Sequence, residues 1–140
     1  VKLDRAARRC ALQAMYQFDA DPGADVEIVR STLEGSGADE TAQKAGFSLA
    51  TMAWEFRDES DAEIDGVSLD WPVRRQPMVD RNVLRLAHHE IRRAGTPPKV
   101  AINEAVELAR EFGAEKSPGF VNAILDRLVK GDAPETETSA

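Results

Sequence analysis

Catalysis or metal binding needs a constellation of side chains, and this chain of 140 residues offers few of them. His88 and His89 are its only histidines, and they are neighbours. Adjacent side chains on a helix point about 100° apart, so the two cannot readily serve one metal. One is expected to face outward and one to pack. Cys10, the single cysteine, falls on an apolar stripe, where a small buried thiol is the simpler reading than a nucleophile. One cysteine also excludes an internal disulfide framework and a multi-cysteine zinc site. Glu59, Asp61, Glu63 and Asp65 lack the spaced oxygen ligands and glycine of a calcium loop, and read as a solvated acidic helix end. Gly35-Ser36-Gly37 has neither the lysine nor the preceding strand of a phosphate loop. No catalytic group, metal or cofactor is expected.

Binding chemistry is better represented. Arg5, Arg8, Arg9 and Tyr16 lie at helical offsets 0, 3, 4 and 11, so Arg5 and Arg9 stack one turn apart with the tyrosine about two turns beyond. Guanidinium groups bind phosphates bidentately, and a tyrosine ring stacks on an unpaired base. The same spacing also suits a solvated basic face with a half-buried tyrosine, and both readings stand on this segment alone. A second place is Glu115-Lys116-Ser117-Pro118-Gly119-Phe120, where a loop meets a helix N-terminus and free backbone N–H groups favour anions. Phe120 reads either as a core residue or as a ring for stacking. Asn103 and Asn122, set among apolar neighbours, read as helix–helix hydrogen-bonding groups.

The elements that position these residues are helical almost throughout. Ala7, Cys10, Ala11, Ala14, Met15 and Phe18 form one stripe, and Asp4 suits the N-cap. Asp21-Pro22-Gly23 breaks the chain, and a short helix follows Asp25 with Val26, Val29 and Leu33. Asp39 can cap a long helix to about Arg57, weakened at Gly46 by about 1 kcal/mol against alanine. Residues 58–65 either continue it or fray. Trp71-Pro72 opens the second half. Val79, Val83, Leu84, Leu86, Ala87 and Ile91 are apolar on more than one face, which predicts a central, largely buried helix. Gly95, Pro97 and Pro98 end it. A helix over Val100 to Phe112 follows, closed by Gly113. Ser117 as N-cap with Pro118 at the first helical position then starts the last one, which ends at Gly131. The expected fold is all-α, with about six or seven helices.

The chain is acidic overall, with 18 Lys+Arg against 25 Asp+Glu and a formal net charge of -7. That average excludes indiscriminate coating of nucleic acid or anionic membrane. The charge is segregated, however: about +3 over residues 1–18, −11 over 19–70, +4 over 71–130 and −3 over 131–140. If the two basic segments meet in space, a basic face forms on an acidic protein. The acidic block is then expected to keep non-specific RNA away. A hydrophobic content of 42% suffices for a real core. No apolar run approaches the roughly 20 residues that span a bilayer, and Val1 to Asp4 are not the start of a secretory leader. A cytoplasmic protein is expected.

Four blocks carry a family resemblance. Arg8-Arg9-Cys10-Ala11-Leu12-Gln13-Ala14-Met15-Tyr16 resembles the opening helix of the NusB family of bacterial transcription antitermination factors. Val79 to Ala87, Val100 to Gly113 and Ser117 to Leu128, with Phe120 to Asp126 within it, resemble later parts of it, in the same order, while residues 19–70 match mainly in helical pattern. The resemblance implies an all-α fold of two small helical subdomains (about 1–70 and 71–130) in one RNA-binding domain over 1–130. Residues 131–140 are expected to form a disordered acidic tail. It implies a non-catalytic function: binding boxA-type single-stranded RNA in nascent ribosomal transcripts, with the ribosomal small-subunit protein NusE, in an antitermination complex on RNA polymerase. Arg5, Arg8 and Tyr16 match the family's RNA-binding helix, with Arg9 an added base. Asp80, Arg81 and Phe120 match positions near its RNA and NusE surface. Lys116 stands where the family often has an acid, beside Ser117, on the NusE side with Phe120. Two alternatives accompany this reading. One is the NusB-like module of ribosomal RNA cytosine methyltransferases, whose strand–helix domain and glycine-rich cofactor loop are missing here. The other is a structural helical adaptor that forms a homodimer.

Overall fold

The computed structural model describes residues 3–131, and the expected tail from Asp132 onward lies outside the described residues. Among the described residues there are seven α-helices and no strand. They are α1 (Arg5–Ala20), α2 (Val26–Thr32), α3 (Glu40–Glu55), α4 (Arg57–Val67), α5 (Met78–Arg92), α6 (Pro98–Phe112) and α7 (Ser117–Lys130). Short 3₁₀ turns occupy Leu33–Ser36 and Val73–Arg75.

Local chemistry places most of the helix starts. The Asp4 carboxylate accepts from the Ala7 N–H at 2.9 Å, that of Asp25 from Glu27 at 2.8 Å and that of Asp39 from Ala42 at 2.8 Å. Each satisfies a first-turn N–H that has no partner within the helix. The acidic run does not fray; it forms α4 with Ile64 fully buried. Two starts differ from expectation. Pro98 opens α6 instead of ending the segment before it, because the first turn of a helix needs no proline N–H. α7 begins at Ser117, whose hydroxyl accepts the Ala114 N–H at 2.9 Å behind it instead of capping forward.

α5 runs through the middle of the molecule. Its Val83, Leu84, Leu86 and Ala87 join one apolar cluster with Leu12, Met15 and Phe18 of α1, Leu49 and Ala53 of α3, Ile64 of α4, Leu108 of α6 and Leu125 of α7. The same helix also buries Asp80, Asn82, Arg85, His88, His89 and Glu90. A helix this enclosed must find partners for its polar groups on neighbouring helices, since a buried charge left unpaired is strongly unfavourable.

α1 packs most closely on α3, and Gly46 sits at their nearest approach. A Cβ at Gly46 would lie 2.4 Å from the Ala7 carbonyl oxygen and 2.6 Å from the Cys10 Cβ. Helix propensity alone would make Gly46→Ala favourable by about 1 kcal/mol. The backbone contact reverses the sign, and the expected outcome is a loss of roughly 1–3 kcal/mol, read from urea unfolding. A stabilised Gly46→Ala variant would overturn this packing account.

Candidate nucleic-acid interface

Asp4 starts α1 so that its apolar stripe faces the core and Arg5, Arg9 and Tyr16 face outward. Tyr16 is 44% exposed. Both arginines are already paired with α6: Arg5 donates from Nε and Nη2 to Glu104 at 3.2 and 2.9 Å, and Arg9 donates from Nε to Glu111 at 2.9 Å. The hydrogen bond from Arg5 holds the Glu104 carboxyl below the usual carboxylate range, with partial burial opposing it. Beside these pairs lies a groove of about 600 Å³, lined among others by Arg9, Gln13, Tyr16, Ala38, Glu111 and Phe112. Its chemistry is mixed, with two half-exposed rings, an amide and a cation, which suits an unstacked base better than a metal or a small anion.

Arg8 departs from the expectation of a phosphate contact. It points inward at 5% exposure, donates from Nε and Nη2 to Glu90 at 3.0 and 2.7 Å, and donates from Nη1 to the Leu3 carbonyl at 2.8 Å. Arg8 points about 100° round the helix from its neighbour Arg9, and that side of α1 faces Glu90 of α5. Its guanidinium is a structural group that joins the two helices. Asp80 is likewise buried at the start of α5, with Oδ1 lacking a hydrogen-bond partner. Burial, at 4% exposure, keeps its carboxylate from reaching a base. Arg81 donates from Nε and Nη2 to Asp19 at 2.6 and 2.8 Å, which also accepts from Asn82 at 2.9 Å and Arg85 at 3.1 Å. Burial works against the Asp19 carboxylate, but the bonds from Arg81 and Asn82 and the charge of Arg85 outweigh it and lower its pKa.

At the start of α7, Ser117 is buried, Lys116 is exposed and Phe120 is partly buried against the core. The Phe120 ring meets that of Trp71, with centroids 5.3 Å apart. Trp71, expected only to open the second half, joins this surface; the signal for it was an aromatic residue followed closely by Arg74 and Arg75 in the link before α5. Asn103 and Asn122 do not join helices. Both are exposed, at a shallow depression with Arg5 and Arg110.

The acidic run and the histidines also differ from expectation. Asp61 accepts from Arg85 at 2.8 Å through each oxygen, Glu63 from Arg92, and Glu59 from Arg93. Asp65 accepts the Val73 N–H at 2.7 Å. These carboxylates are thus the partners of α5 and of the link before it. Both histidines are buried, because α5 is covered on either side. His88 lies 2.8 Å from the Ser60 Oγ through Nδ1 and 2.6 Å from Glu63 through Nε2. That chain has the atom types of a hydrolase triad, but Ser60 is 1% exposed and no substrate reaches it. His89 stacks on Phe56 at 6.2 Å. Burial, and then the charges of Arg93 and His88, push its pKa down, with Glu90 opposing. No group of three or more His, Cys, Asp or Glu side chains with metal-binding geometry occurs among the described residues. No described helix is long and apolar enough to cross a membrane.

Comparison with known proteins matches residues 5–130 to the NusB family. A protein of Anaeromyxobacter sp. (strain Fw109-5) named transcription antitermination protein NusB is 43% identical over 132 residues, which cover 92% of this chain and 91% of that one. A solved NusB from T. maritima superposes with a TM-score of 0.76 at 30% identity, with all of both chains covered. A NusB chain solved with NusE and double-stranded RNA has a TM-score of 0.78 at 24% identity, covering 91% of this chain and 96% of that one. That last likeness speaks to the fold.

Two outcomes follow from the buried polar groups. Removing Arg8 strands Glu90, so Arg8→Ala should cost about 3–5 kcal/mol in stability, measured by chemical unfolding; a loss under about 1 kcal/mol would contradict a buried pair. His89 is held below its ordinary 6.5, so the unfolded chain takes up that proton first. Its contribution to stability is complete above about pH 6.5 and is lost as pH falls through the lowered folded value. Asp19 adds a second loss below its ordinary 3.8. His89→Phe should flatten the first step of a thermal-midpoint scan against pH while leaving the second; an unchanged first step would rule out His89 as its source.

Proposed function

The chain belongs to the NusB family, and on that footing we propose that it is a non-catalytic RNA-binding transcription antitermination factor acting in the cytoplasm. It binds boxA-type single-stranded RNA in nascent ribosomal transcripts together with NusE, as part of an antitermination complex on RNA polymerase. Residues 1–130 act as one RNA-binding domain with subdomains of about 1–70 and 71–130. The observation that carries this reading is the match over residues 5–130, joined to an outer face of α1 that presents Arg5, Arg9 and Tyr16.

Arg5 and Arg9 contact phosphates, and Tyr16 stacks on a base beside the groove that ends at Phe112. Each arginine must exchange a glutamate for a phosphate to do so, which keeps affinity for the protein alone modest. Arg8 holds α1 on α5 and so positions the other two. Arg81, tied to Asp19, braces the start of α5. Lys116 and Phe120 lie together at the start of α7, where NusE meets this surface beside Ser117.

The reading is tested by measuring RNA affinity with and without NusE. Preference for boxA-type over scrambled RNA, strengthened by NusE, is expected; equal affinity for both RNAs under both conditions would overturn it. Arg9→Ala should reduce the slope of log affinity against log salt by about 0.7 for a single strand. An unchanged slope would remove Arg9 from the phosphate contacts.

A further inference from the structure

Most basic side chains in this protein are already neutralised. Among the described residues, those without a carboxylate partner are Arg57, Arg74, Arg75, Lys99, Lys116 and Arg127. Arg57 is spent on the Trp54 ring, 4.0 Å from its centroid, and Arg127 donates to the Val67 carbonyl. Two of the remaining four, Arg74 and Arg75, closely follow Trp71 in the chain, and both are exposed. Trp71 lies against Phe120, Arg75 is bonded to Trp71 through its backbone, and Lys116 stands one helical turn before Phe120 on the same face. Arg74 is the neighbour of Arg75, and its carbonyl accepts from Arg81 at 3.5 Å. Asp70 is the single acid from Ser68 to Val79.

The ring that faces solvent here is Trp71, 41% exposed, while Phe120 is partly buried beneath it. Trp71 is held firmly. Its indole N–H donates to the Arg75 carbonyl at 3.0 Å, and its own carbonyl accepts from the Ser68 hydroxyl at 2.7 Å and from the Gln76 amide at 3.0 Å. Ser68, Val73 and Gln76 are buried and anchor the link on both sides of the indole. A large ring that needs no ordering, beside cations that need not leave a carboxylate, is the recurring platform for unpaired nucleotides.

We infer that Trp71 stacks on an unpaired base of bound RNA, with Arg74 and Arg75 contacting the flanking phosphates, as a second contact region apart from the Arg5, Arg9 and Tyr16 face. This rests on the reading of the protein as an RNA binder and adds residues that the family resemblance does not supply. RNA suits the site better than a protein surface because the exposed ring is followed by two exposed arginines without a carboxylate partner, against a single acid, Asp70, in the same link.

The test uses the full chain with NusE and a fluorescein-labelled, short boxA-type single-stranded RNA. Trp71→Leu should weaken binding about tenfold, and Trp71→Phe should recover most of it. Arg74→Gln with Arg75→Gln should reduce the salt slope by about 1.4. In a Trp54→Phe background, the remaining Trp71 fluorescence should be quenched by RNA. If Trp71→Leu fails to fold, the salt slopes and the quenching decide. Unchanged affinity, slopes and fluorescence would overturn the inference while wild-type binding leaves the broader reading standing. Variants that keep RNA affinity but lose NusE binding in the absence of RNA would overturn it in favour of a protein dock. A wild-type complex that binds no RNA would bring down both.

Discussion

The burial of a charged helix at the centre of this protein governs the rest of it. α5 carries Arg85, His88 and Glu90 on surfaces that neighbouring helices cover, so those helices must bring opposite charges or hydrogen-bonding groups. Arg85 reaches Asp19 of α1 and Asp61 of α4, Glu90 takes Arg8 of α1, and His88 meets Ser60 and Glu63 of α4. Desolvation makes such pairs weak sources of net stability, but it makes every mispairing strongly unfavourable. The belt around α5 therefore acts mainly on specificity. It selects one rotation and one height for α1 and α4, and through α1 it sets which arginines reach the surface.

The same pairing changes the meaning of the charge distribution. Segment by segment, the chain is a strongly acidic block between two basic stretches, which suggests a free basic face. In the fold, Arg81, Arg85 and Arg92 of α5 and Arg93 just after it are matched by Asp19, Asp61, Glu63 and Glu59, and Arg5 and Arg9 of α1 by Glu104 and Glu111 of α6. Four of the fourteen carboxylates of the acidic block thus serve as counter-charges to these arginines. What survives as uncommitted positive charge is small and local. Apart from Lys99 in the first turn of α6, it lies at the link before α5 and the start of α7, where a rigid indole adjoins it. Selective and partner-assisted binding agrees with so restricted a basic surface, because few counterions are released on contact.

Much of the fold was legible in the residues themselves. The stripes of α1, α3, α6 and α7, the aspartate caps at Asp4, Asp25 and Asp39 and the breaks at Asp21-Pro22-Gly23 and Gly113 are local signals, set by side-chain period and by unsatisfied backbone groups. The candidate site was legible only in part. Arg5, Arg9 and Tyr16 lie on the outer face of α1 as their offsets imply, whereas Arg8, in the same run, turns in to Glu90. Gly46 looked like a weak point in α3 and is instead where α1 comes closest. Asn103 and Asn122, chosen for their apolar surroundings, lie on the surface.

By itself, then, the sequence determined the helices, most of their ends, the central burial of α5 and the family, because each depends on neighbours within a few turns or on a long run of matched residues. Which charges cancel was decided only by the tertiary structure. Arg8 and Glu90 are 82 residues apart in the chain, and Arg5 and Glu104 are 99 apart. Coulomb interactions act through space, and no count along the chain reveals which carboxylate a guanidinium will meet. The net charge of -7 is a property of the sequence; the small set of cations left free to bind is a property of the fold.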